Sequence, residues 1–308
     1  MSRNFSFTAK QKQKLTEIQR TLEELKNYLP LTLRQIFYQL VSKQIIENTT
    51  SEYTMLSNLL KWARIEGYIT WKAIEDRVRV FHDLTGWPDS ESFIRASLKY
   101  FLTGYTRDLM QSQEKRIEIW IEKDALSGIF KRVASQYTVP VVVCRGFSSV
   151  SFLHDFAERV EESERKTVML YFGDFDPSGV EMFDSMKITL LDEFMILEDS
   201  VEFKRVALTK EDVFKYQLPH NPNALKKSDT RANKHVKNYG ELAVELDALR
   251  PDILEAKIRD GIGNELDIDL FNNEIQKHLE EINKLNKFKK KTEDFAKRWM
   301  KKEFFQNQ

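Results

Sequence analysis

The 308-residue chain contains a single cysteine, Cys144, so it can form no internal disulfide and cannot build a cysteine-rich zinc ribbon. No apolar stretch approaches the ~20 residues that span a bilayer, and the opening MSRNFSFTAKQKQKL has no signal-peptide core. Both absences predict a cytoplasmic protein with no membrane partner, nucleoid-associated if prokaryotic. Neither a GxxxxGK[ST] loop nor a GxGxxG fingerprint occurs, so this chain carries no recognisable ATPase or dinucleotide site. Its five histidines, His82, His154, His220, His235 and His278, fall in no zinc-protease spacing. Excess positive charge is also missing: 48 basic and 48 acidic residues cancel. A nucleic-acid protein therefore needs its basic residues on one face, since it has none to spare in total.

Apolar material is sufficient for a core. Hydrophobic residues make up 41% of the chain and aromatics 12%, and 308 residues allow two domains or one domain with a large extension. Residues 8–28 show Leu15, Ile18, Leu22 and Leu25 at helical spacing, with Pro30 as a stop. Thr32 can cap a second helix with the stripe Leu33, Ile36, Phe37, Leu40 and Val41. A third helix begins near Ser51 and ends before Gly67, and YITWKAIEDRVRVF can supply a wing, so the start of the chain reads as a helix-turn-helix module. On its third helix and wing, Lys61, Arg64, Lys72, Arg77 and Arg79 are candidate phosphate contacts, with Trp62 and Trp71 nearby. A solvated helix face explains the same charges.

Beyond a connector at 89–115 the pattern changes. RIEIWIEK, VPVVVCR, KTVMLYFGD and VEFKRVALT read as strands, separated by helical patterns at 124–136, 148–163 and 178–195. Alternation at this spacing predicts an α/β fold with a mainly parallel, doubly wound sheet. The apolar run Val168 to Phe172 suits a strand covered on both faces. Residues 219–240 form a polar insert in which Lys226, Lys227 and Arg231 could clamp DNA. From about 251 onward the chain is helical and becomes basic. The expected division is a winged-helix domain at 1–88, the connector at 89–115, a sheet domain at 116–260 and a helical extension at 261–308.

The chemistry concentrates in YFGDFDPSG, residues 171–179. If the strand stays extended through Asp176, alternation points Asp174 and Asp176 to the same side, and Pro177-Ser178-Gly179 opens a helix. Carboxylates at the carboxyl end of a parallel strand suit Mg²⁺, with Mn²⁺ as a substitute. The competing reading makes both aspartates turn formers that cap the helix. Glu122 ends the first strand, where a neighbouring parallel strand would bring it to the same edge. Lys123 and Arg145 are candidate DNA contacts there.

A Glu after the first strand followed by DxDPxG after a later one resembles the Toprim domain. Within that superfamily WIEKDAL, CRGFSS and GDFDPSG are most similar to the topoisomerase VI A subunit and its meiotic double-strand-break relatives. The resemblance implies a CAP-like winged helix ahead of a Toprim domain whose Glu122, Asp174 and Asp176 hold the metal. It further implies that LTLRQIFYQLV carries the catalytic tyrosine, Tyr38, with Arg34 one helical turn before it; the first tyrosine of the family's usual pair is Phe37 here. The implied activity is Mg²⁺-dependent cleavage of double-stranded DNA by a homodimer, giving a 5′-phosphotyrosyl link, with Tyr38 of one protomer working at the metal site of the other. A separate ATPase subunit is the implied partner. A phenol of ordinary pKa ~10 needs help such as Arg34 to act as a nucleophile, and the plain alternative for Tyr38 is packing at the edge of the apolar stripe. Some Toprim relatives, including nuclease subunits of plasmid-defence systems, instead hydrolyse DNA with water. A non-enzymatic DNA-binding module and a primase are the remaining readings; the one cysteine leaves the primase without its usual zinc module.

Overall fold

The computed structural model describes residues 6–75, 84–144, 146, 149–221, 224–225 and 230–305. In chain order its elements are α1 (Ala9–Glu24), α2 (Leu33–Ser42), α3 (Thr50–Ile65), α4 (Ser90–Tyr100), β1 (Lys115–Ile121), α5 (Ser127–Ala134), β2 (Val141–Val143), α6 (Val150–Glu161), β3 (Lys166–Phe172), α7 (Pro177–Ile188), β4 (Val201–Ala207), α8 (Lys210–Lys215), α9 (Thr230–Tyr239), α10 (Pro251–Gly263) and α11 (Ile268–Phe305). No helix among the described residues is long and apolar enough to cross a membrane.

Local chemistry fixes the helix starts. Thr8 and Thr32 each form a capping box, with Gln11 and Gln35 three residues on, and Thr49 caps α3 through the amide of Glu52. The first helix stops at Glu24, short of the expected Tyr28, because residues 26–28 tighten into a 3₁₀ turn. The expected wing falls partly on residues 76–83, outside the described residues; before them, Ile74 makes an isolated bridge to Leu31.

The sheet is α/β and wholly parallel, in the order β2-β1-β3-β4. Strand β3 is buried from Thr167 to Phe172, as its unbroken apolar run requires. One face carries Trp120, Met169 and Tyr171 against Leu153 and Phe156 of α6 and Phe183 and Met186 of α7. On the other, the ring of Phe172 meets Phe130 of α5 edge to face at 4.9 Å, and Leu170 lies beside Gly261 of α10. From β1 the chain winds outward to β2, then returns across β1 to β3. The switch point therefore lies between β1 and β3, and ligands of open α/β sheets bind at the carboxyl ends of such a pair.

Two compact units divide the chain: Met1–Val78 with Glu114–Glu265, and Arg79–Gln113 with Leu266–Gln308. This partition differs from the expected four segments, because the N-terminal helices share a unit with the sheet and the connector shares one with the C-terminal helix. In the second unit Arg107 pairs with Glu274 at 2.6 Å and Glu281 at 2.7 Å on α11, and Phe101 meets Phe288.

Candidate metal centre and its charge network

Strands β1 and β3 run in register to Ile121 and Phe172, so the residues that follow emerge side by side. Glu122 donates its amide to Phe172 O at 3.0 Å, and its Oε2 accepts the amide of Asp174 at 2.9 Å. The first carboxylate is thus tied to the backbone of the second. Asp174 is 6% exposed. Its Oδ1 accepts the Leu246 amide at 2.8 Å, and its Oδ2 lies 2.8 Å from Lys123 Nζ. Strand β3 ends at Phe172, before either aspartate, although Asp176 remains extended at φ −140°. There Asp176 caps α7: its Oδ1 accepts the Gly179 amide at 2.7 Å, and Pro177 opens the helix. The capping reading thus holds for Asp176 and not for Asp174.

Glycine is required where α7 begins. A Cβ at position 179 would stand 2.3 Å from Asp174 O and 3.0 Å from Asp174 C, both backbone atoms. Gly179→Ala should therefore cost ~1–3 kcal/mol by overpacking and displace Asp174. Chemical denaturation, with metal binding followed in parallel, checks both effects. Arg205 of β4 holds the same loop from the other side, donating to Leu208 O at 2.8 Å, Gly179 O at 3.2 Å and the carbonyl of Asp174.

Lys123, a candidate DNA contact, is turned into an acidic network. The chain turns after Glu122 and sends the ammonium inward, 2.8 Å from Asp174 Oδ2, 2.8 Å from Glu245 Oε2 and 3.1 Å from Asp247 Oδ2. Burial alone would drive this lysine neutral, but the three carboxylates outweigh it and hold its pKa well above the ordinary range. Glu245 also pairs with Arg34 and accepts from Asn221 Nδ2 at 2.9 Å. Burial pushes the Glu245 carboxyl up, yet the charges of Lys123 and Arg34 hold it down at about 2.

Tyr38 is 3% exposed and lies beside Glu245. Burial first, then the negative charge of Glu245, raises its phenol far above the usual range, against the weaker pull of Lys123 and Arg34. Arg34 pairs with Glu245, and its charge lowers the Tyr38 pKa by less than burial and Glu245 raise it. On α3, Lys61 and Arg64 lie over the rings of Trp62 and Trp71 at 5.4 and 5.0 Å. Arg145, Arg77, Arg79, Lys226 and Lys227 lie outside the described residues.

Sequence reasoning missed Glu245, Asp247 and Arg205. A signal was present in VELDAL, where two acids alternate with apolar residues much as in the DxD motif, but nothing in it names the partners.

The acids at the switch point offer a hard cation oxygen ligands only. Glu122 Oε1 and Asp176 Oδ2 accept no hydrogen bond among the described residues. Burial, with the charges of Glu122 and Asp176, pushes the Asp174 carboxyl up to about 7 despite Lys123, and burial likewise raises Glu122. A divalent cation would relieve this repulsion, and in donor type, though not in spacing, the acids suit Mg²⁺. The oxygens of the three acids do not, however, come within 4.8 Å of one another as a set, because Asp174 is turned to Lys123 and Asp176 to its helix. Among the described residues, the trio that does meet that spacing is His154, Asp155 and Glu158, exposed on α6. Open clefts flank the network: one of about 420 Å³ lined by Arg34, Glu122, Lys123 and Asp247, and one of about 200 Å³ lined by Tyr38, Arg34 and Glu245.

The raised Asp174 carboxyl sets the sign of a pH effect. Its folded pKa, about 7, exceeds the ordinary 3.8, so the metal-free folded state holds a proton that the unfolded chain has released. This contribution to stability is complete below about pH 4 and is lost as pH rises through 7. Denaturation in EDTA should show stability falling between pH 5 and 7.5, and saturating Mg²⁺ should flatten the slope. A metal-free profile that rises across this window contradicts the assignment.

No protein-family model and no curated protein matches the chain. The class that fold and site define is therefore a parallel α/β protein with an acidic centre at its switch point.

Proposed function

We propose that this protein cleaves DNA phosphodiester bonds by metal-dependent hydrolysis, with Glu122, Asp174 and Asp176 holding one end of the chemistry. The observation that carries this reading is the Glu122 carboxylate bonded to the Asp174 amide at the switch point, with Asp176 close enough to raise the pKa of both. A bound Mg²⁺ or Mn²⁺ would supply Lewis-acid stabilisation to the phosphate and leaving oxygen. Arg34, whose side chain is 44% exposed at the rim of the cleft, provides a cation for an incoming phosphate. DNA as substrate rests on the resemblance to Toprim proteins, as do a homodimer and a separate ATPase partner.

Water rather than Tyr38 is the favoured nucleophile. A buried phenol beside a carboxylate is held in its neutral form, and a carboxylate with a pKa near 2 is a poor base for it. In the covalent, topoisomerase VI A-like reading Tyr38 serves the metal site of another protomer, whereas here Tyr38 is linked through Glu245 to Lys123 and hence to Asp174 of its own chain.

Supercoiled plasmid incubated with the protein and Mg²⁺ or Mn²⁺, with and without protease before electrophoresis, separates the two. Hydrolysis gives nicked or linear product that needs no protease, and Tyr38→Phe keeps cutting within about threefold, as expected for a change worth less than ~1 kcal/mol. Product that appears only after protease, and vanishes in Tyr38→Phe, establishes the covalent route instead.

A further inference from the structure

The positive charge missing from the chain as a whole is gathered on one helix. Residues 284–302 of α11 hold nine basic side chains and two acidic ones, so the rest of this neutral chain is net acidic. Lysines elsewhere find partners: Lys14 meets Glu52 at 2.7 Å, Lys43 meets Glu24 at 2.6 Å, and Lys277, earlier on α11, meets Glu274 at 2.7 Å. Among the described residues none of the nine makes an ion pair. The helix dipole accounts for Lys302 in the last turn, but not for cations that begin about five turns before it.

These cations alternate with aromatic rings along one line. Lys284, Phe288, Lys291, Phe295, Arg298 and Lys302 follow each other at steps of four and three residues, and all six are exposed. Such steps keep side chains on one face of a helix. The pair Lys284 and Phe288 therefore repeats as Lys291 and Phe295 about 10.5 Å further on. Arg298 with Trp299 continues the series. The rings of Phe288, Phe295 and Trp299 are 56%, 64% and 45% exposed.

The pattern selects its occupant. Another copy of the same face would bring like charges together. A coiled-coil partner needs apolar side chains at both seam positions, and here every second one is a cation. An interfacial membrane helix buries an apolar sector about 100° wide or more, whereas the three rings lie within about 40°. Duplex DNA offers phosphates to the cations but keeps its bases stacked away from the rings. A single strand offers both phosphates and unstacked base faces.

We infer that this face of α11 binds single-stranded nucleic acid, with phosphates on Lys284, Lys291 and Arg298 and bases stacked on Phe295 and Trp299. Backbone charge and base faces are what it reads, so binding is indifferent to base sequence. The inference stands apart from the cleavage reading and needs no metal ion.

The test is fluorescence anisotropy of a labelled oligothymidine of about 20 nucleotides, in EDTA, with the full-length protein. A hairpin duplex and heparin are the competitors. Wild type should prefer the single strand over the duplex by about tenfold or more, and Phe295→Ala should weaken single-strand binding at least about fivefold. Phe295→Trp should keep it, and heparin binding should be the same in all three. Lys291→Gln with Arg298→Gln should lower the salt slope by about 1.4, the share of two phosphates on a single strand. No binding by wild type, equal affinity for duplex, or an unchanged Phe295→Ala overturns the inference, whatever the plasmid assay gives. Co-sedimentation with phosphatidylserine vesicles that Phe295→Ala abolishes, while oligothymidine binding stays unchanged, assigns the face to a lipid surface instead.

Discussion

Lys123→Met should cost the fold about 3–5 kcal/mol at neutral pH, the range for removing one partner from a buried ion pair. The variant retains most of the aliphatic volume, so the loss is electrostatic. Asp174, Glu245 and Asp247 would lose the charge that now lies 2.8 to 3.1 Å from each. At roughly 2–4 °C per kcal/mol for a unit of this size, the thermal midpoint should fall by about 10 °C. Acid should narrow the gap between variant and wild type, because the stranded carboxylates then take up protons. Millimolar divalent cation should narrow it as well. Thermal scans at pH 5 and pH 8, with and without Mg²⁺, test both expectations. Lys26, paired with Glu23 at 2.7 Å on the surface, is the control: both partners are mostly exposed, and Lys26→Met should leave the midpoint unchanged. A loss at Lys123 that is equally small would mean that the network is as solvated as that surface pair.

Glu122 and Asp174 were legible in the sequence because strand ends are. An apolar run that stops at a carboxylate identifies the edge on which it stands, and parallel alternation brings two such edges together. The inward direction of Lys123 was not legible, for the same local reason. Strand alternation sends the neighbour of an inward residue outward, but the chain leaves strand geometry after Ile121 and enters a 3₁₀ turn at Asp124. The three carboxylates that capture the lysine come from β3's end and from residues 245 and 247, and no spacing rule connects those positions. Periodicity likewise placed Tyr38 at the margin of an apolar stripe. Gln35, Tyr38 and Gln39 are buried together with Ile36, Phe37 and Leu40, so α2 is covered almost all round. The alternation of strand and helix was readable throughout the sheet, whereas the bonds of Arg107 and Gln111 to Glu274 of the last helix join positions 167 and 163 apart.

Glu122→Gln should abolish cleavage while leaving the metal-free fold at least as stable as wild type. The glutamine carbonyl can still accept the Asp174 amide, now bonded at 2.9 Å, so the link between the two strand ends survives. What disappears is one negative charge beside Asp174 and Asp176, in a carboxyl whose own pKa burial has raised. Without that neighbour the Asp174 carboxyl should titrate lower, and the fall in stability between pH 5 and 7.5 should become shallower. Loss of a ligand should cost catalysis several kcal/mol, on the order of a 10³-fold slower cut. Plasmid nicking rates and denaturation in EDTA measure the two effects on one preparation. Opposite signs, with activity lost and stability kept or gained, are what a site built for a cation requires, because its acids are crowded for function at the expense of the empty fold. If Glu122→Gln instead unfolds readily and still cuts at the wild-type rate when folded, the carboxylate is a structural brace and the chemistry lies elsewhere.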